Sequence, residues 1–392
     1  MKKKLTFSYA LQQVFLWAQY GCLFSYANPY LTEQLGLSDS TAGLVLGFAT
    51  ALSFLLQPVL TSVVEKTGLN ARMICLLTAV INGLSCLAVA VVPGGAVVFF
   101  ALACVTLQIL PSFSNAMGME AMRNGWEINF ALARGAGSVS FGVSAKVMAM
   151  LIDRYGNRSV VFTGFVIAAL FFFMTMCLPK TENGEQEEKK EEAKESFFRR
   201  EPRFLLLIIA SVLLYVGHNA LCNCMFRVAQ SKLAPEFIDR ATDLQGSALL
   251  IAAVAELPTM FLFTKLLKKV RCDIWLCLSC CFMTLKLVLT WLLPGETGLL
   301  LAQTTQLGGY ALYAVASVYY VGTVVRKADV VKGQTYLGAS NTLGCLIAYV
   351  VGGVLIDTLG TTAMLVTCLS LSVIGTILMF LARQRVDKTV GV

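Results

Sequence analysis

Apolar residues in this chain gather into long, nearly unbroken runs, each closed by a charge cluster or a Pro/Gly turn. The runs fall at 7–31, 41–64, 73–93, 96–118, 130–152 and 159–178. Beyond a polar interval they resume at 204–226, 244–267, 274–293, 299–324, 334–356 and 362–382. A helix of about 20 apolar residues crosses a bilayer core of about 30 Å. A membrane barrel would instead alternate in character over about 10 residues per strand. The pattern predicts an all-α membrane protein with twelve transmembrane helices.

The polar interval 179–203, PKTENGEQEEKKEEAKESFFRREPR, reads as a solvated linker. It divides the chain into an N-terminal six-helix bundle at 1–178 and a C-terminal one at 204–392 that ends in a short tail. Each half places a basic loop between its second and third helices: Glu65-Lys66-Thr67-Gly68 with Arg72, then Lys268-Lys269-Val270-Arg271. Two pseudo-symmetric halves of this kind describe a duplicated transporter with its site at the midplane between them. Lys and Arg set the orientation. With the N-terminus inside, the outer loops keep only Arg154, Arg158, Arg227, Lys232 and Arg240, so both termini are expected in the cytoplasm.

Composition sharpens this reading. The 392 residues are 57% hydrophobic and 14% charged, against about 25% charged in a soluble domain. A soluble enzyme and a disordered chain are thereby excluded. The net charge of +8 follows from topology and needs no nucleic acid. Most of the 13 cysteines lie inside apolar runs, without zinc-like spacing, and read as small hydrophobes. No metal and no cofactor is expected. Met1-Lys2-Lys3-Lys4 before an apolar run resembles a secretory leader, but no small-residue cleavage site follows, so the segment is read as a retained span. There is no GxxxxGK[ST] loop for ATP. The linker and tail are too short for an added signalling domain, which argues against a membrane sensor.

A charge at the bilayer centre costs about 2.5–3.5 kcal/mol, so each one needs a reason. Arg134 and Lys146 lie in the fifth run, Glu256 in the eighth and Lys286 in the ninth; Glu120 lies at the inner end of the fourth, and the single histidine, His218, in the seventh. Lys146 is placed to snorkel to the interface. His218 reads as a neutral ring hydrogen-bonded between helices. Arg134, Glu256 and Lys286 lie deeper and suit either a structural ion pair or a polar cavity. Ser138 and Phe141 follow Arg134 on one helical stripe. A guanidinium fork with an aromatic face suits a polyhydroxylated ligand, although the small residues Gly135, Gly137 and Ser138 also suit close helix packing.

These residues resemble a family. Ala51–Arg72, ALSFLLQPVLTSVVEKTGLNAR, is similar to the second and third helices of the lactose permease branch of the major facilitator superfamily. Its loop signature appears with Glu65 in place of the usual Asp, then Gly68 and Arg72, which implies a conformational latch. Met119-Glu120-Ala121 and Phe130–Gly135 resemble the helix 4–5 region, where a glutamate and an arginine contact the galactoside. The interval between them is four residues shorter here. Phe141 falls where the permease stacks a tryptophan on the sugar. Ala255-Glu256-Leu257 resembles the helix 8 segment that joins sugar recognition to proton coupling, and Lys286 falls where the family has an arginine. The permease histidine and glutamate of helix 10 are replaced around Gln306 and Gly309. The acidic pair of helix 7 and its lysine partner in helix 11 are missing as well. The stretch Ala255-Glu256-Leu257-Pro258-Thr259-Met260 also resembles sugar efflux transporters.

The resemblance implies a monomeric transporter of the inner membrane that imports a sugar or glycoside with protons by alternating access. Glu120, Arg134, Phe141, Glu256 and Thr259 would contact substrate, and Glu256, Lys286 and Glu120 would couple to protons. Efflux of sugars or drugs by proton antiport is the alternative.

Overall fold

The computed structural model describes residues 5–67, 69–180, 198, 201–326 and 329–384. Two compact units make up the chain: Met1–Gln186 with Thr242–Leu250, and Glu187–Ala241 with Ile251–Val392. The segment 242–250 opens helix Ala241–Lys269, so this helix is shared between the units. Most of the expected linker, 181–197 and 199–200, lies outside the described residues.

Both units are all-helical. Ten helices among the described residues are long and apolar enough to cross a membrane, against twelve predicted segments. The difference lies at the two ends of the chain. The first segment is helical over Thr6–Gln19 and continues through two π-helical turns, Tyr20–Phe24 and Tyr30–Gln34. The last two segments lie in Val330–Ala382, where two helices meet at a kink at Gly360, whose φ of 83° and ψ of 170° are open to glycine and strained for other residues.

In the first unit, helix Thr6–Gln19 packs on Phe130–Tyr155, and Ala71–Val91 packs on Ala96–Arg123 and Ser159–Cys177. Apolar burial discriminates poorly between helices in lipid, so interhelical hydrogen bonds and small residues fix the contacts. Gln19 Nε2 donates to Asn82 Oδ1 (2.8 Å) and to the Gly164 carbonyl (2.9 Å). Asn82 Nδ2 in turn donates to the Ala103 carbonyl (2.7 Å). One pair of amides thus joins four helices. At Gly21 a Cβ would lie 2.1 Å from Ser144 Oγ, so only glycine permits that approach. Local signals set the helix ends. Asn70 and Asn129 cap two helices by accepting the N–H groups of Met73 and Leu132 (both 3.0 Å). Gly156, at φ 79°, closes helix Phe130–Tyr155.

Of the three residues expected to form a latch, Arg72 is the one whose side chain is described. Arg72 is buried, and its Nε and Nη2 donate to the carbonyls of Thr175 (3.1 Å) and Met176 (2.8 Å). These carbonyls lie at the end of helix Ser159–Cys177, where a cation complements the helix dipole. Gly68 and the side chain of Glu65 lie outside the described residues.

In the second unit, helix Pro202–Asn223 packs along Val330–Ala382, and Cys272–Leu292 packs beside both. Gly344 meets the Tyr215 side chain, and Gly375 meets the backbone of Ala210. Tyr215 packs edge-on to Tyr313, whose hydroxyl shares a 2.5 Å hydrogen bond with Ser211. Arg271 forks onto the fully buried Asp273 (3.0 and 2.8 Å), which also lies 3.7 Å from Arg383.

Candidate functional site

Each unit builds a polar cluster among its apolar helices. In the first unit it begins with three side chains on successive turns of helix Thr6–Gln19: Tyr9, Gln13 and Trp17, joined by Gln12. Gln13 Nε2 donates to the Tyr9 hydroxyl (3.1 Å) and to Ser114 Oγ (2.8 Å). The Gln13 side-chain carbonyl accepts from Trp17 Nε1 (3.2 Å). Gln12 Oε1 accepts from Ser114 Oγ (2.9 Å), while Gln12 Nε2 is buried and has no partner among the described residues.

Trp17 connects this amide network to Arg134. The guanidinium carbon lies 4.1 Å from the centre of the indole, and Nη1 donates to Ser138 Oγ (3.1 Å) one turn along its own helix. A delocalised, weakly hydrated guanidinium suits such a stack. Gly137 makes room for it, since a Cβ there would lie 2.3 Å from Trp17 Cδ1. Among the described residues no carboxylate pairs with Arg134.

The neighbours expected around Arg134 are arranged differently. The aromatic face on the guanidinium belongs to Trp17; Phe141 is half-buried, and its carbonyl accepts from Ser144 Oγ (3.0 Å). Glu120 stands near the end of helix Ala96–Arg123, and its Oε1 accepts the Ala71 N–H (3.4 Å) at the start of another helix. Helix N-termini favour a carboxylate there. Lys146 does not reach outward alone: it pairs with Asp243 and donates to Ser247 Oγ (2.9 Å), both on the 242–250 segment of the same unit.

The cluster of the second unit is linear. Lys286 is 4% exposed, and its Nζ donates to Gln306 Oε1 (2.7 Å). Gln306 Nε2 then donates to Glu256 Oε1 (3.0 Å). A cation at one end and a carboxylate at the other fix which way the amide points, because each accepts only one orientation. A broken helix positions Gln306: Gly295–Thr304 gives way to the 3₁₀ turn Thr305–Leu307, then Gly308 and Gly309, before Tyr310–Val324 begins. Such a break exposes backbone groups, and Thr259 Oγ1 satisfies one by donating to the Leu307 carbonyl (2.6 Å). Thr259 lies one turn beyond Glu256, next to Pro258 within the helix. His218 stacks flat on Tyr310, with ring centres 4.4 Å apart and planes 4° off parallel. It also lies 3.8 Å from Cys222 Sγ.

Three residues central to this geometry, Trp17, Gln12 and Gln13, do not stand out in the pattern of charges and apolar runs. Their signal in the sequence is a pair of amides one helical turn from an indole, inside the first apolar run.

Residues 6–366 match the model of the MFS_1 like family. The crystal structure of the nucleoside transporter NupG is similar, with a TM-score of 0.76 at 16% identity over 96% of this chain and 97% of that one. A point mutant of the same transporter gives 0.78 at 15% identity over 96% and 98%. A POT family transporter in complex with a thioalcohol conjugated peptide gives 0.73 at 11% identity over 95% of each chain. At these identities the likeness is one of fold. No curated protein sequence matches the chain.

Proposed function

The chain belongs to the MFS_1 like family, a multi-pass membrane transporter of major facilitator type, and from that premise we propose that it carries a sugar or glycoside together with a proton by alternating access. In this reading twelve spans form two six-helix halves, a monomer sits in the inner membrane, and both termini face the cytoplasm. The observation that carries it is the Lys286–Gln306–Glu256 chain, a buried cation and a carboxylate joined through one amide. A proton on Glu256 removes the negative end of that chain. Gln306 then loses a charge-assisted acceptor, and Lys286 loses the charge it is linked to. Two protonation states thus favour two arrangements of the same groups, which is the requirement for biasing a conformational equilibrium.

Arg134, Trp17 and Ser138 would form the sugar-recognition side in the first unit, with Phe141 and Glu120 as further contacts carried by the family resemblance. Thr259 would add a contact beside Glu256. The driving force is about 2.3 kcal/mol per charge per 100 mV, added to the pH gradient.

The test is uptake into proteoliposomes with and without an imposed pH gradient, across mono- and disaccharides. Uridine and a dipeptide belong in the same screen. Greater accumulation under an inward proton gradient is the expected result, and equal accumulation in both conditions rules out proton coupling. Efflux by proton antiport is the second reading, favoured by the Glu256-Leu257-Pro258-Thr259-Met260 stretch. Cells lacking an importer take up less ligand, whereas cells lacking an exporter retain more.

A further inference from the structure

We propose that the substrate is an acidic sugar, a monosaccharide or glycoside bearing one carboxylate, and that Arg134 receives the carboxylate. This rests on the sugar reading above and narrows it. Two groups of the cluster around Arg134 have donors to spare. Gln12 Oε1 takes Ser114 Oγ, Gln13 Oε1 takes the Trp17 N–H, and the Ser114 carbonyl takes the Tyr9 hydroxyl. Gln12 Nε2 is buried without a partner among the described residues. Arg134 offers five N–H groups, of which Nη1 is engaged, by Ser138.

A neutral polyol brings a donor with every acceptor, so it meets these spare donors only by adding hydroxyl protons that need acceptors of their own. An unmet buried donor is costly, whereas a carboxylate brings acceptors alone. Charge points the same way. The Arg134 guanidinium carbon lies 4.1 Å from the centre of the Trp17 indole, and a guanidinium presents parallel N–H groups that suit a two-pronged carboxylate bond. No carboxylate among the described residues fills that role. Lys146, on the same helix, is held by Asp243, and Arg72 is bound to the carbonyls of Thr175 and Met176. One cation matches a monoanion, which favours a carboxylate over a phosphate dianion.

The test is ligand binding to the purified full-length protein, read by thermal shift and by tryptophan fluorescence. The probes are glucuronate, galacturonate, glucose, galactose, the methyl ester of glucuronate, glucose 6-phosphate, uridine and a dipeptide. A uronate is expected to bind at least about tenfold more tightly than its methyl ester, the loss of one charge-assisted bond. Arg134→Gln should remove that preference, and Arg134→Lys should weaken it because the planar fork is lost. The ester comparison uses the unmutated protein, so it stands even if a variant fails to fold. Equal binding of uronate and ester, tighter binding of glucose 6-phosphate, or an unchanged Arg134→Gln overturns the proposal. Binding of neutral sugars alone overturns the acidic assignment and leaves the sugar reading intact. Binding of uridine or the dipeptide with no sugar bound overturns the sugar reading itself.

Discussion

The two units hold a cation in opposite ways. Lys286 is linked to Glu256 through Gln306, so the second cluster is neutral as it stands. Among the described residues Arg134 rests on an indole and a hydroxyl with no carboxylate, so the first cluster carries a positive charge. The chemistry of the two side chains accounts for the choice. An ammonium is a compact, strongly hydrated charge that needs a full acceptor once dehydrated, while a guanidinium spreads its charge and tolerates an aromatic face. A cluster that is neutral within itself can change state by gaining a proton. A cluster left charged is completed by something that arrives from outside.

The largest effect expected from this contrast is on coupling. Glu256→Gln keeps the hydrogen bond geometry and removes the titratable group. A gradient of one pH unit is worth about 1.4 kcal/mol per proton, or roughly tenfold accumulation. Proteoliposomes carrying Glu256→Gln should lose that accumulation and retain counterflow exchange, which needs no proton. Accumulation at the parental level would take the proton away from Glu256.

Stability should separate the clusters next. Gln306→Leu strips the buried Lys286 ammonium of its acceptor and should cost about 2 kcal/mol. Arg134→Leu loses one hydrogen bond and a cation–π contact, and it also removes an unpaired charge from an apolar helix, so its melting temperature should stay near the parent's. Equal destabilisation by the two substitutions would mean that both cations are structural.

A smaller effect concerns the floor under Arg134. Gly137→Ala places a methyl where Trp17 Cδ1 lies 2.3 Å away, and overpacking of this kind costs about 1 kcal/mol or more. The indole should shift from the guanidinium, seen as a change in tryptophan emission, while the second cluster keeps its response to protons.

What is legible in the sequence follows physical cost. Charges in apolar runs are expensive and therefore rare, so Arg134, Glu256 and Lys286 stand out. Amides are cheaper, and Gln12, Gln13 and Gln19 look like incidental polarity although they organise the first unit. In the family resemblance Gln306 is a lost histidine, whereas in the structure it is the bridge that lets Lys286 and Glu256 share one chain. Trp17 and Phe141 are equally apolar to a pattern, and the helix pairing that brings one of them onto Arg134 depends on Gly137 and Gly21. Local resemblance matches Glu120 to its region, but its place is set by where helix Ala96–Arg123 ends relative to Ala71. Runs of apolar residues specify the long helices well. The π turns of the first one leave no mark in hydropathy, because they are choices of backbone geometry within an apolar run.

A third cation provides the control. Lys146 has a carboxylate of its own, and both partners are partly open, with side chains 26% and 41% exposed. Solvent weakens such a pair to about 0.5 kcal/mol, and salt should weaken it further because screening acts on exposed charges within about 10 Å at 0.1 M. Lys146→Met and Asp243→Asn, combined in a double-mutant cycle on melting temperature, should give a small coupling that fades at high ionic strength. The effect of Gln306→Leu should survive the same salt, since bulk ions do not reach a side chain as buried as Lys286. A salt-insensitive Lys146 pair, or a salt-sensitive Gln306 effect, would reverse the order of burial on which the contrast between the two clusters depends.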